Sequence, residues 1–387
     1  VRNHFLPFHV PTIGEEEIAE VVATLRSGWL TTGPKVKQFE QEFARYVGCR
    51  QAVAVNSGTA ALHLALEAVG VTEGDEVLIP TMTFTATAEV VTYLKAKPVL
   101  LDCRPDTLNL DPDRIERAIT PKTKAIMPVH MGGLPCEMDR ILEIARQYNL
   151  QVIEDAAHAL PARYHGRMVG TIGDITCFSF YATKTITTGE GGMATTDNPE
   201  WAERMRIMSL HGISKDAWKR YTAEGSWYYE VCFPGYKYNL TDLAAAIGIH
   251  QLKRCDRFWE VRQRYAALYH DGLKDVAELT LPPFAAEGQQ HAWHLYVLRL
   301  NPERLRITRN QLIELLKQRQ VGTSVHFIPL HLHPYYRDTF GYRAADFPQA
   351  SAAFERIVSL PIYPQMTEAD VGYVIETVRA LVRQHRR

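Results

Sequence analysis

From residue 52 to residue 196, short apolar runs alternate with helical patterns, and this alternation constrains the fold more than any other feature of the chain. Ala52–Val55, Glu76–Ile79, Pro98–Asp102, Ala125–Val129, Gln151–Glu154, Ile175–Phe180 and Met193–Thr196 read as strands. Between them, Ser57–Val69, Thr87–Lys95 and Met138–Tyr148 carry apolar residues at helical spacing. Gly70 ends the first of these helices, and Asp111 before Pro112 reads as an N-cap with proline at the first helical position. The expectation is an α/β fold with a mostly parallel sheet and helices on both faces. In such sheets ligands bind beyond the carboxyl ends of the strands, so chemistry is sought just after each strand.

The flanks differ. Residues 1–13 read as an extended arm. Thr12 and Glu15 have capping-box spacing, Ile18, Val21, Val22 and Leu25 follow at helical period, and Gly28 closes that helix. A second helix carries Phe39, Phe43 and Tyr46 and ends at Gly48. A long helix is expected from about residue 241 to 270. After it, His294–Leu300 and Gly322–Ile328 read as strands, Gln311–Arg319 and Thr367–Val382 as helices, which suits a small α+β domain. The chain has 387 residues, more than one ordinary core accommodates. The expected division is an arm (1–13), a large domain (14–250) and a small C-terminal domain (251–387).

Charge excludes some partners. Lys and Arg number 43 against 44 Asp and Glu, for a net charge of −1. No basic excess exists to neutralise a nucleic acid or an anionic membrane, so an anionic substrate must be met by a few local donors. No stretch reaches the roughly 18 apolar residues of a membrane span, and the first residues lack a signal-peptide core. The six cysteines form no C-x-x-C pair and read as free thiols in a reducing compartment. A cytoplasmic protein is expected. His291 with His294, and His331 with His333, lack the further ligands a metal needs and read as packing or substrate-side histidines.

Four post-strand positions carry chemistry. Asn56-Ser57-Gly58-Thr59 opens a helix, where free N–H groups suit an anion such as phosphate; an ordinary serine cap is the plainer reading. Phe84 follows the strand at 76–79 and suits stacking on a flat ring, or simply the core. Asp155 ends a buried strand, where a carboxylate needs a partner; a protonated pyridine nitrogen would be one, a helix cap or ion pair another. Lys184 lies between the strand at 175–180 and the Gly189-Glu190-Gly191-Gly192 turn. Partly desolvated, it would offer a neutral amine able to form an imine, whereas a lone lysine is ordinarily a surface group. Ser179 is placed to donate to a phosphate. His158 alone reads as a structural hydrogen-bonder. The conjunction of these pieces after successive strands is more specific than any one of them.

At these residues the chain resembles the DegT/StrS-type sugar aminotransferases. The stretches that carry the resemblance are Ser57–Leu62, Ile153–Ala159 and Phe178–Lys184, with Ser27–Pro34, Gly235–Asp242 and Leu360–Pro364. It covers nearly the whole chain. Within the family the chain is most similar to enzymes that aminate C4 of UDP-linked keto-sugars, those of the 4-amino-4-deoxy-L-arabinose kind first and those acting on UDP-4-keto-6-deoxy-hexosamines nearly as closely.

The resemblance implies the aspartate-aminotransferase-like fold, pyridoxal-phosphate (PLP) fold type I, in a homodimer with sites at the interface. It implies PLP as cofactor, passing through pyridoxamine phosphate (PMP), with L-glutamate and a UDP-keto-sugar as substrates. Lys184 would hold the cofactor as an imine and shuttle the proton. Asp155 would pair with the pyridine nitrogen, Phe84 would stack on the ring with His158 beside it, and Gly58, Thr59 and Ser179 would hold the phosphate. Trp29, Leu30, Thr31 and His326 fall where relatives contact the nucleotide-sugar. Many relatives have asparagine where Lys237 stands; here the asparagine is Asn239, so either residue is the cross-subunit phosphate ligand. Related dehydratases carry histidine in place of the lysine, which argues against a dehydratase, as the intact lysine and aspartate argue against a non-catalytic sensor.

Overall fold

The computed structural model describes residues 2–213 and 228–387. Seven strands form the main sheet: β1 (Gln51–Val55), β2 (Glu76–Pro80), β3 (Lys97–Leu101), β4 (Thr123–Ile126), β5 (Gln151–Asp155), β8 (Ile175–Ser179) and β9 (Gly192–Thr196). A two-residue hairpin, β6 (Arg163–Tyr164) and β7 (Arg167–Met168), lies between β5 and β8. The spatial order is β1-β9-β8-β5-β4-β2-β3. Only β9 is antiparallel to its neighbours, β1 and β8; β8, β5, β4, β2 and β3 pair in parallel. The expected mostly parallel sheet is present.

Both faces of the sheet are covered, which explains the near-continuous apolar runs. Side chains alternate between two cores as the two-residue period requires. Ala52, Ala54, Leu78, Val152 and Phe178 enter one core; Val53, Val55, Val77, Ile79, Ile153 and Cys177 enter the other. The free edge of β1 is blunted: Glu40 accepts from Ala54 N at 2.8 Å, and Arg206 donates to Ala52 O at 3.0 Å.

The helices around this sheet are α1 (Glu15–Ser27), α2 (Pro34–Val47), α3 (Gly58–Ala68), α4 (Ala86–Tyr93), α5 (Met138–Tyr148), α6 (Pro199–Ser209) and α7 (Asp242–Lys253). A second, antiparallel sheet has β11 (Tyr296–Leu300) between β10 (Leu279–Thr280) and β12 (Ile357–Leu360). With α8 (Cys255–Leu273), α9 (Arg309–Gln318) and α12 (Glu368–Gln384) it buries a third core around Tyr296, Leu298 and Val374. Two short helices, α10 (Pro334–Phe340) and α11 (Pro348–Phe354), complete the chain. No described helix is long and apolar enough to cross a membrane.

Several expectations are corrected. The cap of α1 is Gly14, not Thr12: Glu17 reaches back to Gly14 N at 2.8 Å, while Gln251 and Arg254 donate to the Thr12 carbonyl. The apolar stripe of α1 is largely uncovered in the single chain, with Ile18 48% and Leu25 52% exposed. The long helix breaks at Arg254 into α7 and α8. Residues 322–328 form no strand; a single bridge, Ser324 to Ser359, is all the pairing they make with β12.

Candidate active site

The carboxyl ends of β1, β2, β5 and β8 point to one edge of the sheet, and the expected residues follow them. Lys184 lies in the β8–β9 connection. That loop is closed by backbone bonds from Phe180 N to Gly191 O (2.9 Å) and Thr188 N to Phe180 O (3.0 Å), and the lysine turn by Lys184 N to Tyr181 O (2.9 Å). The Thr187 hydroxyl also donates to Phe180 O. These bonds hold the loop, and with it the lysine, at the sheet edge. Burial lowers its pKa to about 8, against the opposing charge of Asp155.

Asp155 ends β5 and is buried. Its Oδ2 accepts from the Thr87 hydroxyl at 2.9 Å and its Oδ1 from Ala157 N at 3.1 Å. Burial raises its pKa, and these two donors with the Lys184 charge act the other way. Beneath it, Glu154 is fully buried. It accepts from His130 Nε2 (2.9 Å), Gly173 N (2.7 Å) and the Thr176 hydroxyl (2.7 Å). Cys136 N donates to the other ring nitrogen of His130, so the ring proton sits on Nε2. His130 N in turn donates to Asp155 O, tying this buried pair to the aspartate.

Gly58 and Thr59 open α3, where their N–H groups have no carbonyl one turn earlier. Ser57 does serve as the cap, accepting from Ala60 N at 3.0 Å. Ser179, at the end of β8, lies against this turn: a methyl group on Gly58 would stand 2.9 Å from Ser179 Cβ. One on Gly192 would stand 2.4 Å from Ser57 O. At Gly192 the contact is backbone against backbone, at Gly58 backbone against the Ser179 side chain, and glycine keeps both open. Such a cup, a buried carboxylate and a lysine of lowered pKa fit the phosphate, ring nitrogen and carbonyl of PLP.

The remaining residues form a ring-rich wall. Phe84 is 58% exposed, its ring 6.0 Å from that of Phe327. Phe327 stacks on His158 at 5.7 Å and 15°, and His158 lies 4.5 Å from His294. Gly132 N donates to His158 Nδ1. Burial, then the Lys184 charge, pushes His158 well below the usual imidazole range and His326 to about 4. Both rings are neutral. His326 also bonds Ser359 Oγ at 2.8 Å.

Trp29, Leu30 and Thr31 sit on the turn after α1. Trp29 donates to Thr32 O, Thr31 O accepts from Asp242 N, and Leu30 is exposed. Asn239 donates to the Thr32 hydroxyl at 2.7 Å and accepts from Lys237. Its backbone bridges Val55, beside the Asn56-Ser57 turn.

Thr87, Phe327 and the Glu154–His130 pair were not singled out from the sequence; His294, read there as a packing or substrate-side histidine, lies against His158. Thr87 had a signal, as a hydroxyl following Phe84 on the same loop–helix junction. His331 bonds Thr81 and Ser351, and His291 accepts from Trp293 N, so both serve packing. All six cysteines are unpaired.

The chain is 54% identical over 383 residues to the spore coat polysaccharide biosynthesis protein SpsC of Bacillus subtilis, covering 99% of this chain and 98% of that one. Its structure is similar to that of a Streptococcus pneumoniae protein, Spr1654, named as a sugar aminotransferase and solved in a PMP form. The TM-score there is 0.92 at 37% identity, covering 98% of this chain and 99% of that one. DesI, solved in the presence of its TDP-sugar product, aligns with a TM-score of 0.87 at 30% identity, covering 99% of this chain and 94% of that one. The fold is PLP fold type I. The DegT/DnrJ/EryC1/StrS aminotransferase family model matches residues 11–379, and the chain belongs to that family of PLP-dependent aminotransferases.

Proposed function

We propose that the chain transfers the amino group of L-glutamate to the C4 keto carbon of a UDP-linked sugar, giving a 4-amino-4-deoxy sugar nucleotide and 2-oxoglutarate. The observation that carries the reading is the placement of Lys184 in the closed β8–β9 loop near the buried Asp155, where burial lowers its pKa to about 8 against that charge. SpsC, a polysaccharide biosynthesis protein by name, supports a role in making an amino sugar for a polysaccharide. The UDP and C4 assignments rest on the resemblance to enzymes that aminate C4 of UDP-linked keto-sugars, whose Lys237…Asn239 form the chain shares.

In this reading bound PLP supplies the carbonyl that takes up the amino group and the ring that takes up the electron pair. Lys184 Nζ removes the proton from the glutamate Cα and later delivers one to C4 of the sugar. A pKa near working pH suits both directions. Asp155 holds the proton on the pyridine nitrogen. The Gly58 and Thr59 N–H groups and the Ser179 hydroxyl hold the phosphate, with Asn239 or Lys237 reaching it from the partner subunit of a homodimer. Phe84 stacks on the ring, and His158 lies beside it. Trp29, Leu30, Thr31 and His326 meet the nucleotide-sugar. The chain divides near residue 250 into a large and a small domain behind the arm.

The test is the visible absorbance of the PLP-loaded protein. The expected result is a yellow band that fades with L-glutamate as 2-oxoglutarate forms, returns with a UDP-4-keto-sugar and is missing from Lys184→Ala. Return of the band with a TDP-linked sugar alone would overturn the nucleotide assignment.

A further inference from the structure

Helix α1 is inside out: its inward face is polar and its outward face apolar. Glu17 and Thr24 are its buried residues. Glu17 accepts from Gln251 Nε2 at 2.9 Å and pairs with Arg254. Glu20 pairs with Lys35 and lies 3.0 Å from His250 Nε2. The Thr24 hydroxyl donates to Glu20 O at 2.8 Å. These bonds tie α1 to α2, to α7 and to the α7–α8 junction, and they fix which side of the helix faces the protein.

Ile18, Val22 and Leu25 lie on the other side, four and three residues apart, the spacing of one helical stripe. All three are exposed. At 3.6 residues per turn, Glu15, Ala19 and Arg26 project to the same side, and they too are exposed. An apolar stripe rimmed by charge marks an interaction surface. This one has its acid in the first turn and its base in the last, about 16 Å apart along the axis. Such a surface is complementary to itself. A second α1 laid antiparallel sets Arg26 of each copy against Glu15 of the other, and Ile18 against Val22. A parallel pair would oppose like charges. The small side chain of Ala19 lets the two helices approach closely.

We propose that α1 pairs antiparallel with α1 of a second copy of this chain about a two-fold axis, packing Ile18 and Val22 across it and bridging Glu15 to Arg26 of the partner subunit. A two-fold contact uses the same patch on both copies, as this one does. The proposal rests on the homodimer of the reading above and names the surface at its axis. A helix pair about 20 Å long covers far less than the roughly 800 Å² a side of a stable complex, so α1 is one part of a larger contact. The stripe runs on toward the rest of it. Leu30 is exposed on the turn that follows α1, and the same turn is tied through Thr32 to Asn239 Nδ2 at 2.7 Å. Pairing of α1 therefore steadies the Trp29–Thr31 turn of each subunit.

The experiment is oxidative cross-linking of the PLP-loaded protein with copper phenanthroline, read on a non-reducing gel, with light scattering on the same samples. Glu15→Cys and Arg26→Cys are compared singly and combined in one chain, and the wild type controls for the native Cys49 and Cys232. The combined chain should run as a covalent dimer, with about tenfold more linked product than either single variant. Within one helix the two cysteines are about 16 Å apart, too far to join each other. Linking of a single variant to itself at the yield of the combined chain overturns the antiparallel arrangement. An unlinked combined chain that scatters light as a dimer overturns the proposal and leaves the homodimer standing. A wild type that scatters as a monomer overturns the homodimer and the proposal together.

Discussion

The Thr87 hydroxyl donates to Oδ2 of Asp155 at 2.9 Å and also lies 2.7 Å from the hydroxyl of Thr83. The first turn of α4 thereby orients the carboxylate that ends β5. Asp155 in turn sets the lysine: its charge raises the pKa of Lys184 against the lowering effect of burial. Reaction of apo-protein Lys184 with an amine reagent should therefore rise with pH around a midpoint of about 8. In Asp155→Asn the opposing charge is gone and the midpoint should move to lower pH. Peptide mapping of the labelled lysine across pH measures both, and an unmoved midpoint would separate the two residues electrostatically. Thr87→Val should move it only slightly.

The glycine cradle predicts an order of severity. A Cβ on Gly192 meets backbone atoms of Ser57 and Gly58 at 2.4 and 2.7 Å, whereas one on Gly58 meets the Ser179 side chain at 2.9 Å. Gly192→Ala should cost about 2 kcal/mol of stability and abolish cofactor retention. Gly58→Ala should cost less and weaken PLP binding by about tenfold. Thermal unfolding and fluorescence titration with PLP check the order; the reverse order would mean that the cup is not built on this contact.

Glu154 accepts three hydrogen bonds in full burial. Burial alone would raise its pKa, but His130 and the other donors hold it below the usual carboxylate range. A carboxylate depressed on folding adds stability above its unfolded pKa and loses it as pH falls through the folded value. Glu154→Gln should therefore lose about 3 kcal/mol at neutral pH. The gap to wild type should close as the pH drops below the ordinary glutamate range. Urea unfolding at a series of pH values reads this directly, and a pH-independent gap would contradict it.

Cross-subunit use of Asn239 predicts complementation. Lys184→Ala and Asn239→Ala chains should each lack full activity. If subunits re-sort at random, their mixture should regain about a quarter of the wild-type rate, because half the dimers are hybrids with one intact site. Activity of the mixture no greater than that of its parts would place Asn239 in the site of its own chain.

The sequence by itself determined the layered α/β core and which residues stand at the carboxyl ends of its strands. Strands covered on both faces must be apolar on both, so Val53 and Ala54, or Leu78 and Ile79, mark their strand without any tertiary knowledge. Glycines at positive φ, such as Gly28 and Gly48, mark helix ends for an equally local reason. Lys184 and Asp155 were legible as candidates because Asp155 ends such a strand and Lys184 lies in the loop after another. What only the tertiary structure decided are the contacts between distant segments. The cap of α1 passed from Thr12 to Gly14 because Gln251 and Arg254 claim the Thr12 carbonyl, and Arg254 also binds Glu17. The apolar run at 322–328 has the pattern of a strand but meets the arm and a single residue of β12 instead of a full partner. Thr87 on Asp155 and Phe327 on His158 bring together residues 68 and 169 positions apart. Local pattern reports which face of an element is buried; it carries no information on which distant side chain that face will meet.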